Sequence, residues 1–187
     1  MKSIIKSELI NHSDTFNKLA EMEEEILNLY ENFRLAIEQN KKILIMGNGG
    51  SAADAQHLAT ELVVRFEKTR KPIKAIALTT DSSILTATGN DFSFDDIFDR
   101  QINALANEND LVIGISTSGK SKNVLKALES AKKHNAKTII LTGSQKVNSD
   151  NIDFEFNVPS YTTSRIQEMH LVLYHLICKL IDNSFDS

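Results

Sequence analysis

The sequence contains little cysteine: Cys178 is the single one among 187 residues. One cysteine cannot form an internal disulfide, and this usage is typical of a reducing compartment. The first residues lack the unbroken apolar stretch of a signal peptide, and no run of about 18 apolar residues could span a bilayer. These absences predict a soluble, cytoplasmic protein without a membrane partner.

The sequence also lacks a large excess of charge of one sign. Its formal net charge is -4, with 25% charged and 41% hydrophobic residues. This balance argues against general attraction to nucleic acid, so we expect no nucleic-acid partner. Repeats and low-complexity tracts are absent, and the length suits one compact domain. We therefore expect a single domain over 1–187, with an N-terminal oligomerisation segment at 1–39 and an α/β core at 40–187.

Residues 3–39 contain neither proline nor glycine, and their apolar residues recur at steps of three and four. This pattern predicts one long amphipathic helix, or two helices joined near Asn11–Asp14. A helix with so large an apolar stripe usually packs against another helix. We therefore interpret it as an oligomerisation element, with a cover helix inside the same chain as the alternative.

Beyond residue 40, short apolar runs alternate with helical stretches. Five strands are predicted, at Ile43–Met46, Ala75–Leu78, Leu111–Ile115, Thr138–Leu141 and Phe154–Val158. The helices are predicted from Ser51 to about Phe66 and at Ser82–Thr88, Asp95–Ala106, Ser121–His134 and Thr162–Ile181. Strands that are apolar without alternation are typical of a sheet covered on both faces. The pattern predicts a parallel α/β sheet with helices on both sides.

Two turns at the carboxyl ends of predicted strands are rich in glycine and hydroxyl residues. The first is Gly47–Ser51, and the second is Gly114–Ser121, which contains Ser116, Thr117, Ser118 and Ser121. Hydroxyls and backbone N–H groups at a helix N-terminus can bind phosphate. Each turn could instead be an ordinary connection with an N-cap serine, but two of them favour a ligand site. Neither matches the dinucleotide fingerprint or the Walker pattern, which disfavours a dehydrogenase or a nucleotide hydrolase.

A possible metal site follows the first turn. His57 and Glu61 are four residues apart, so they share one face of a helix. An isolated pair of this kind could also be a simple hydrogen bond on a polar face. The last predicted helix adds four candidates on a broad face: Gln167, His170, His175 and Cys178. If the two helices meet, a set of His, Glu, Gln and His would suit zinc. Spacing leaves His170 and His175 as alternatives.

A further polar pair, Asn90 and Asp91, lies in the segment Thr88–Phe92. Gly-Asn-Asp sequences readily form turns, so the pair is interpreted either as part of a turn or as a ligand contact.

Four motifs, in this order, closely resemble those of the phosphoheptose isomerases, the sedoheptulose 7-phosphate isomerase branch of the sugar isomerase (SIS) domain proteins: Gly47–His57, Gly89–Phe92, Gly114–Ser121 and Arg165–His170. The resemblance extends nearly end to end. It implies a three-layer flavodoxin-like fold with a five-stranded parallel sheet. It also implies a homotetramer with active sites at subunit interfaces and one zinc ion per subunit.

The resemblance also assigns roles to residues. The implied zinc ligands are His57, Glu61, Gln167 and His175, which leaves His170 as a non-ligand. The implied contacts are Asn48, Gly49, Gly50, Asn90 and Asp91 for the sugar, and Ser116, Thr117, Ser118 and Ser121 for the phosphate. We also expect Ser51, Glu61 and Gln167 to contact the substrate. Glu61 is our expected base for proton transfer, and His175 is its acid/base partner.

The expected reaction converts sedoheptulose 7-phosphate to D-glycero-D-manno-heptose 7-phosphate through an enediol, for bacterial lipopolysaccharide or capsule precursors. Two departures from the family pattern are visible. Ser164 stands where some members have an acidic residue, and the segment Gly143–Asp150 is short and poor in glycine. The alternatives are an isomerase of arabinose 5-phosphate or hexulose phosphate, and a non-catalytic SIS protein. The latter would be a sugar-phosphate sensor or a regulator that binds the replication initiator.

Overall fold

The structure, a computed structural model, describes residues 1–185. Its helices are α1 (Lys2–Ala20), α2 (Glu23–Glu38), α3 (Gly50–Val63), α4 (Ser82–Asp91), α5 (Asp99–Leu105), α6 (Lys122–Lys133) and α7 (Thr163–Ser184). Its strands are β1 (Ile43–Gly47), β2 (Ala75–Ala77), β3 (Leu111–Ile115), β4 (Lys137–Thr142) and β5 (Phe154–Asn157). None of the helices in residues 1–185 is long and apolar enough to cross a membrane.

The five strands form one parallel sheet in the order β2-β1-β3-β4-β5. Successive side chains of a strand point to opposite faces, and here both faces are covered. Ile43 and Ile45 pack in a core with side chains of α2, α3 and α7, whereas Leu44 and Met46 pack with α5 and α6. The fully apolar strands are therefore explained, and the predicted three-layer α/β fold is confirmed.

The strand order places a crevice at the carboxyl ends of β1 and β3. From β1 the chain continues into α3 on one face of the sheet, and from β3 it continues into α6 on the other face. Such a reversal opens the sheet between the two strand ends, where ligands of α/β proteins commonly bind. Both glycine- and hydroxyl-rich turns of the sequence lie at this crevice.

The N-terminal region consists of two helices that are separated at Glu21 and Met22. The predicted junction near Asn11–Asp14 is wrong, because the Thr15 hydroxyl bonds to the Asn11 carbonyl within a continuous helix. Three glutamates in the first turn of α2 favour the observed start, since carboxylates stabilise a helix N-terminus. Much of the apolar stripe of α1 is uncovered, with Ile4, Ile5 and Leu9 being 63%, 61% and 65% exposed.

Two other local predictions need correction. The turn interpretation of Asn90 and Asp91 is wrong, because both residues belong to α4. The Asp81 carboxylate caps this helix by accepting from Ser83 and Ile84, and the Phe92 N–H closes its last turn. The predicted helix Asp95–Ala106 is divided into a 3₁₀ turn at Phe94–Asp96 and α5. Helix α3 begins at Gly50 rather than Ser51, and β2 and β5 each end one residue early.

Candidate functional site

Helices α3 and α7 bring three potential metal ligands together. His57 Nε2 lies 3.1 Å from Glu61 Oε1 and 3.5 Å from His175 Nε2. One ligand atom from each of these residues lies within 4.8 Å of the other two. His57 and His175 are separated by 118 residues in the sequence, so this cluster is produced by the packing of the two helices.

The donor set of this cluster fits zinc. Tetrahedral zinc with bonds of about 2.0–2.1 Å places neighbouring ligand atoms about 3.3–3.4 Å apart. The observed separations of 3.1 and 3.5 Å lie on either side of that spacing. Two imidazoles and a carboxylate are also a common ligand set for this ion. The three residues can therefore hold zinc without a large rearrangement.

Gln167 lies against the start of α3. A Cβ atom placed on Gly50 would come within 2.4 Å of Gln167 Nε2, so the glycine allows the amide to approach the helix backbone. Gln167 occupies α7 two turns before His175. The structure therefore brings Gln167 to the helix that carries His57 and Glu61.

The two histidines of α7 have different environments. His170 is fully buried, its Nε2 is 3.4 Å from the Thr142 carbonyl, and burial lowers its pKa to about 4. His175 is partly exposed beside His57. Burial and the neighbouring His57 lower the pKa of His175, whereas Glu61 acts in the opposite direction. Both imidazoles are therefore neutral near pH 7, but it is His175 that lies beside the other ligands.

Cys178, one turn beyond His175, is the other candidate ligand on α7. It is completely buried, and burial raises the pKa of its thiol to about 12. Within residues 1–185, Cys178 does not belong to the cluster of potential ligands formed by His57, Glu61 and His175. A neutral thiol in this environment acts as an apolar side chain.

A buried ion pair fixes α3 against α7. The Arg70 Nε donates to Asp182 on α7 at 3.0 Å, and its Nη atoms donate to the carbonyls of Glu61 and Leu62 at 2.7 and 2.8 Å. These carbonyls belong to the last turn of α3, where helix acceptors lack internal partners. Arg70 therefore satisfies the end of α3 and positions Glu61. No sequence pattern indicates this role, since Arg70 lies in a predicted loop.

The region behind His57 contains two polar side chains that the sequence interpretation did not use. Tyr174 is 1% exposed, and its hydroxyl is 2.9 Å from His57 Nδ1. Asp54 lies one turn before His57, and burial raises the pKa of its carboxyl to about 6, although His57 acts in the opposite direction. Tyr174 has the spacing of a core residue, so only the three-dimensional structure identifies its contact.

The second half of the site is a hydroxyl-rich turn after β3, which we call the phosphate loop (Ser116–Ser121). The Ser116 and Ser121 hydroxyls are 2.9 Å apart, and Ser116 is 3% exposed, whereas Ser118 is exposed. Gly119 has a φ of +65°, and its N–H donates to the Ser116 carbonyl. The turn ends at the N-terminus of α6, where free N–H groups favour an anion. The loop can therefore receive a phosphate.

Asn48 connects the two halves. Its side-chain amide exchanges two hydrogen bonds of 2.9 Å with the amide of Asn123, in the first turn of α6. Asn123 is 2% exposed and also accepts from the Val124 N–H. The sequence interpretation missed Asn123. The one feature of the sequence that could have indicated Asn123 is its position two residues after the phosphate loop.

The remaining residues that the sequence predicts as contacts differ in how close they lie to the site. Ser51 is buried in the first turn of α3, beside Gly49 and Gly50. Asn90 donates to Asp91 at 2.8 Å at the exposed end of α4. Within residues 1–185, no hydrogen bond joins this pair to the metal ligands or the phosphate loop. Ser164 is exposed near the start of α7, and the short segment 143–150 is held by Glu155, which accepts from the Val147 N–H.

The potential metal ligands can be reached from solvent, with the His57 side chain 41% and the Glu61 side chain 19% exposed. A separate cavity of about 270 Å³ lies at the amino ends of β1 and β2, lined in part by Lys41, Lys71 and Lys74. None of His57, Glu61 and His175 lines that cavity. The site is therefore defined by its side chains rather than by an enclosed pocket.

Comparison with known proteins agrees with this geometry. Residues 11–143 match the SIS domain family. A phosphoheptose isomerase from a Nitratiruptor species is 50% identical over 185 residues, which cover 97% of this chain and 98% of that protein. The structure also matches two solved structures, and each match covers 97% of this chain and 98% of the other chain. A phosphoheptose isomerase from Neisseria gonorrhoeae has a TM-score of 0.88 at 36% identity, and one from Francisella tularensis has 0.92 at 34%.

These similarities extend over nearly the whole chain and include both halves of the site. The chain belongs to the phosphoheptose isomerase family of SIS domain proteins.

Proposed function

We propose that the chain converts sedoheptulose 7-phosphate to D-glycero-D-manno-heptose 7-phosphate, as an aldose–ketose isomerase of bacterial heptose synthesis for lipopolysaccharide or capsule. The observation that carries the proposal is the cluster of His57, Glu61 and His175, in a chain whose turn after β3 also carries the hydroxyls of the phosphate loop. A sugar phosphate has one group for each half of this site. Its phosphate suits the hydroxyls, and its carbonyl end suits the metal ligands.

Isomerisation moves a proton between C1 and C2 through an enediol. Glu61 is the base in this proposal, because its side chain is partly exposed and faces two imidazoles. His175 is the acid/base partner of Glu61 in the exchange of protons with the substrate oxygens. When bound, zinc supplies positive charge where the enediolate oxygen develops.

The proposed zinc ligands are His57, Glu61, Gln167 and His175, with one ion per subunit. The observed donor separations and the position of Gln167 against Gly50 support this assignment. For the sugar we propose contacts at Asn48, Gly49, Gly50, Ser51, Glu61, Asn90, Asp91 and Gln167. For the phosphate we propose Ser116, Thr117, Ser118 and Ser121. The joined hydroxyls of Ser116 and Ser121 and the reciprocal bonds of Asn48 support these roles.

We also propose that residues 1–187 form one SIS domain that assembles into a homotetramer with active sites at subunit interfaces. The exposed apolar stripe of α1 supports an assembly, because several large aliphatic side chains lie in solvent in the single chain. A cytoplasmic location follows from the single buried cysteine and from a sugar-phosphate substrate.

The direct test combines metal analysis with a panel of sugar phosphates. We expect about one zinc per subunit, turnover of sedoheptulose 7-phosphate, and loss of this turnover after chelation with recovery on adding zinc. If arabinose 5-phosphate or a hexulose phosphate is turned over faster than sedoheptulose 7-phosphate, the faster compound is the substrate and the proposed one is wrong. Binding of sugar phosphates or of a replication initiator without any turnover would instead favour the non-catalytic alternative.

A further inference from the structure

Both ring nitrogens of His57 have partners on α7. Its Nε2 faces Glu61 and His175, while its Nδ1 is 2.9 Å from the Tyr174 hydroxyl. The two rings of His57 and Tyr174 meet edge to face, with centroids 5.3 Å apart. Tyr174 directly precedes His175, so one turn of α7 contacts His57 from two sides.

This contact decides which nitrogen of His57 is free. A neutral imidazole has one protonated nitrogen and one lone pair, and its second hydrogen bond selects between them. When Nε2 is a metal ligand, Nδ1 carries the proton and donates to the Tyr174 oxygen. The Tyr174 O–H is then available to another acceptor.

Asp54 is suited to be that acceptor. Its Oδ2 is buried and has no hydrogen-bond partner within residues 1–185. Asp54 lies three residues before His57 on α3, so the two side chains share a face of the helix. A buried carboxylate oxygen without a donor is costly, so it favours an O–H group that His57 has released.

We propose that Tyr174, supported by the Asp54 carboxylate, is a positioning residue that holds His57 with its Nε2 free for the metal. This inference rests on the metal site of the proposed function and adds two residues to it. Ligating histidines commonly donate their second N–H to a carboxylate, and here a tyrosine lies between the two. The arrangement fixes the ring and makes Nε2 a better donor.

The experiment measures zinc affinity by competition with a chromophoric chelator in the full-length wild type and in three variants. We expect Tyr174→Phe to weaken zinc binding about 10-fold and Asp54→Asn to weaken it a few-fold. Tyr30→Phe is the matched control. Tyr30 is also buried, and its hydroxyl donates to Ser184 at 2.6 Å rather than contacting a proposed metal ligand. This variant should bind zinc like the wild type.

Visible spectra of the Co²⁺-loaded proteins give a second readout that a purely structural role would not change. We expect altered d–d bands in Tyr174→Phe and unaltered bands in Tyr30→Phe. If Tyr174→Phe fails to fold, the zinc affinity and the Co²⁺ spectrum of Asp54→Asn test the inference instead, because asparagine keeps the shape of the aspartate side chain.

Two contrary results are distinct. Equal zinc affinity and equal Co²⁺ spectra in the wild type, Tyr174→Phe and Asp54→Asn overturn the inference while leaving the proposed function intact. A wild-type protein that binds neither zinc nor Co²⁺ overturns the proposed metal site and the inference together. Neither measurement requires turnover, so a wrong substrate assignment would not affect the conclusion.

Discussion

The phosphate loop and the metal ligands are built in opposite ways. The loop takes its groups from one short segment, Ser116–Ser121, and from the N-terminus of the helix that follows. The metal ligands come from α3 and α7, and His57 and His175 are 118 residues apart. A local motif can be recognised in the sequence, whereas a composite one exists only after two helices have packed.

The two halves also differ in electrostatics. The phosphate loop offers hydroxyls and N–H groups, which keep their protonation state over the usual pH range. The proposed metal ligands are a carboxylate, two imidazoles and the amide of Gln167, and the carboxylate and the imidazoles are groups that can transfer protons. Substitutions of the proposed metal ligands should therefore mainly lower kcat. Substitutions in the phosphate loop should mainly raise KM for the sugar phosphate.

The largest expected effect is that of Glu61→Gln. Removal of a base for proton transfer should lower kcat by about 10²–10⁴-fold. The affinity for inorganic phosphate, measured as competitive inhibition of the wild type and by direct calorimetry on the variant, should change little. Glu67→Gln is the control, because Glu67 is exposed and pairs with Lys179 rather than with the cluster. Full activity in Glu61→Gln would contradict both the base assignment and the proposed division of roles.

His170 provides the next largest effect, on stability. Its folded pKa of about 4 lies below the ordinary value of 6.5, so unfolding takes up a proton between these pH values. Its contribution is complete above pH 6.5 and is lost as the pH falls towards 4. Between pH 7 and pH 5 this loss amounts to about 2 kcal/mol.

Urea unfolding of the wild type and of His170→Gln at both pH values tests this prediction. The free energy of unfolding of the wild type should fall more steeply with acid than that of the variant. Parallel losses would mean that His170 is protonated in the fold, and the contrast with His175 would then disappear.

A moderate effect is expected from Ser116→Ala. Loss of one hydroxyl that bonds a charged phosphate should raise KM for the sugar phosphate about 10-fold, with kcat and zinc content nearly unchanged. Ser82→Ala serves as the control, since Ser82 is exposed at the start of α4. A fall in kcat with an unchanged KM would show that the loop takes part in chemistry.

The smallest effect concerns the connection between the halves. Asn123→Ala frees the Asn48 amide and should raise KM about 5-fold, because a typical hydrogen bond contributes about 1 kcal/mol. Steady-state kinetics of Asn123→Ala and of the wild type measure this change in KM. Asn103→Ala is the control, because Asn103 is exposed on α5. If zinc affinity also fell in Asn123→Ala, the two halves would be coupled more tightly than their separate construction suggests.

Sequence reasoning predicted what depends on local pattern. Uninterrupted apolar runs indicated all five strands, and the hydroxyl-rich turns indicated the position of the crevice. The interpretation of Asn90 and Asp91 as a turn was wrong, because the Asp81 cap and the Thr88 carbonyl keep that segment helical. A break at Glu21 and Met22 was missed because both sides of it have helical periodicity.

The composite part of the site could be predicted only through a family resemblance. Helical spacing places Gln167 on a face with either His170 or His175, and what separates them is the side of α7 that meets α3. Arg70 and Tyr174 act through contacts between distant segments. No periodicity or motif in one sequence reports such contacts.

The wide separation of the metal ligands has a consequence during synthesis. A nascent chain displays His57 and Glu61 early, but it has only this pair until α7 emerges, after every strand of the sheet has been made. Two ligands bind a metal ion far more weakly than a complete set, and binding of the ion stabilises only the folded arrangement. Tight capture of the proposed zinc ion would thus be reserved for polypeptides whose translation has passed residue 175, and products that terminate earlier would be left without it.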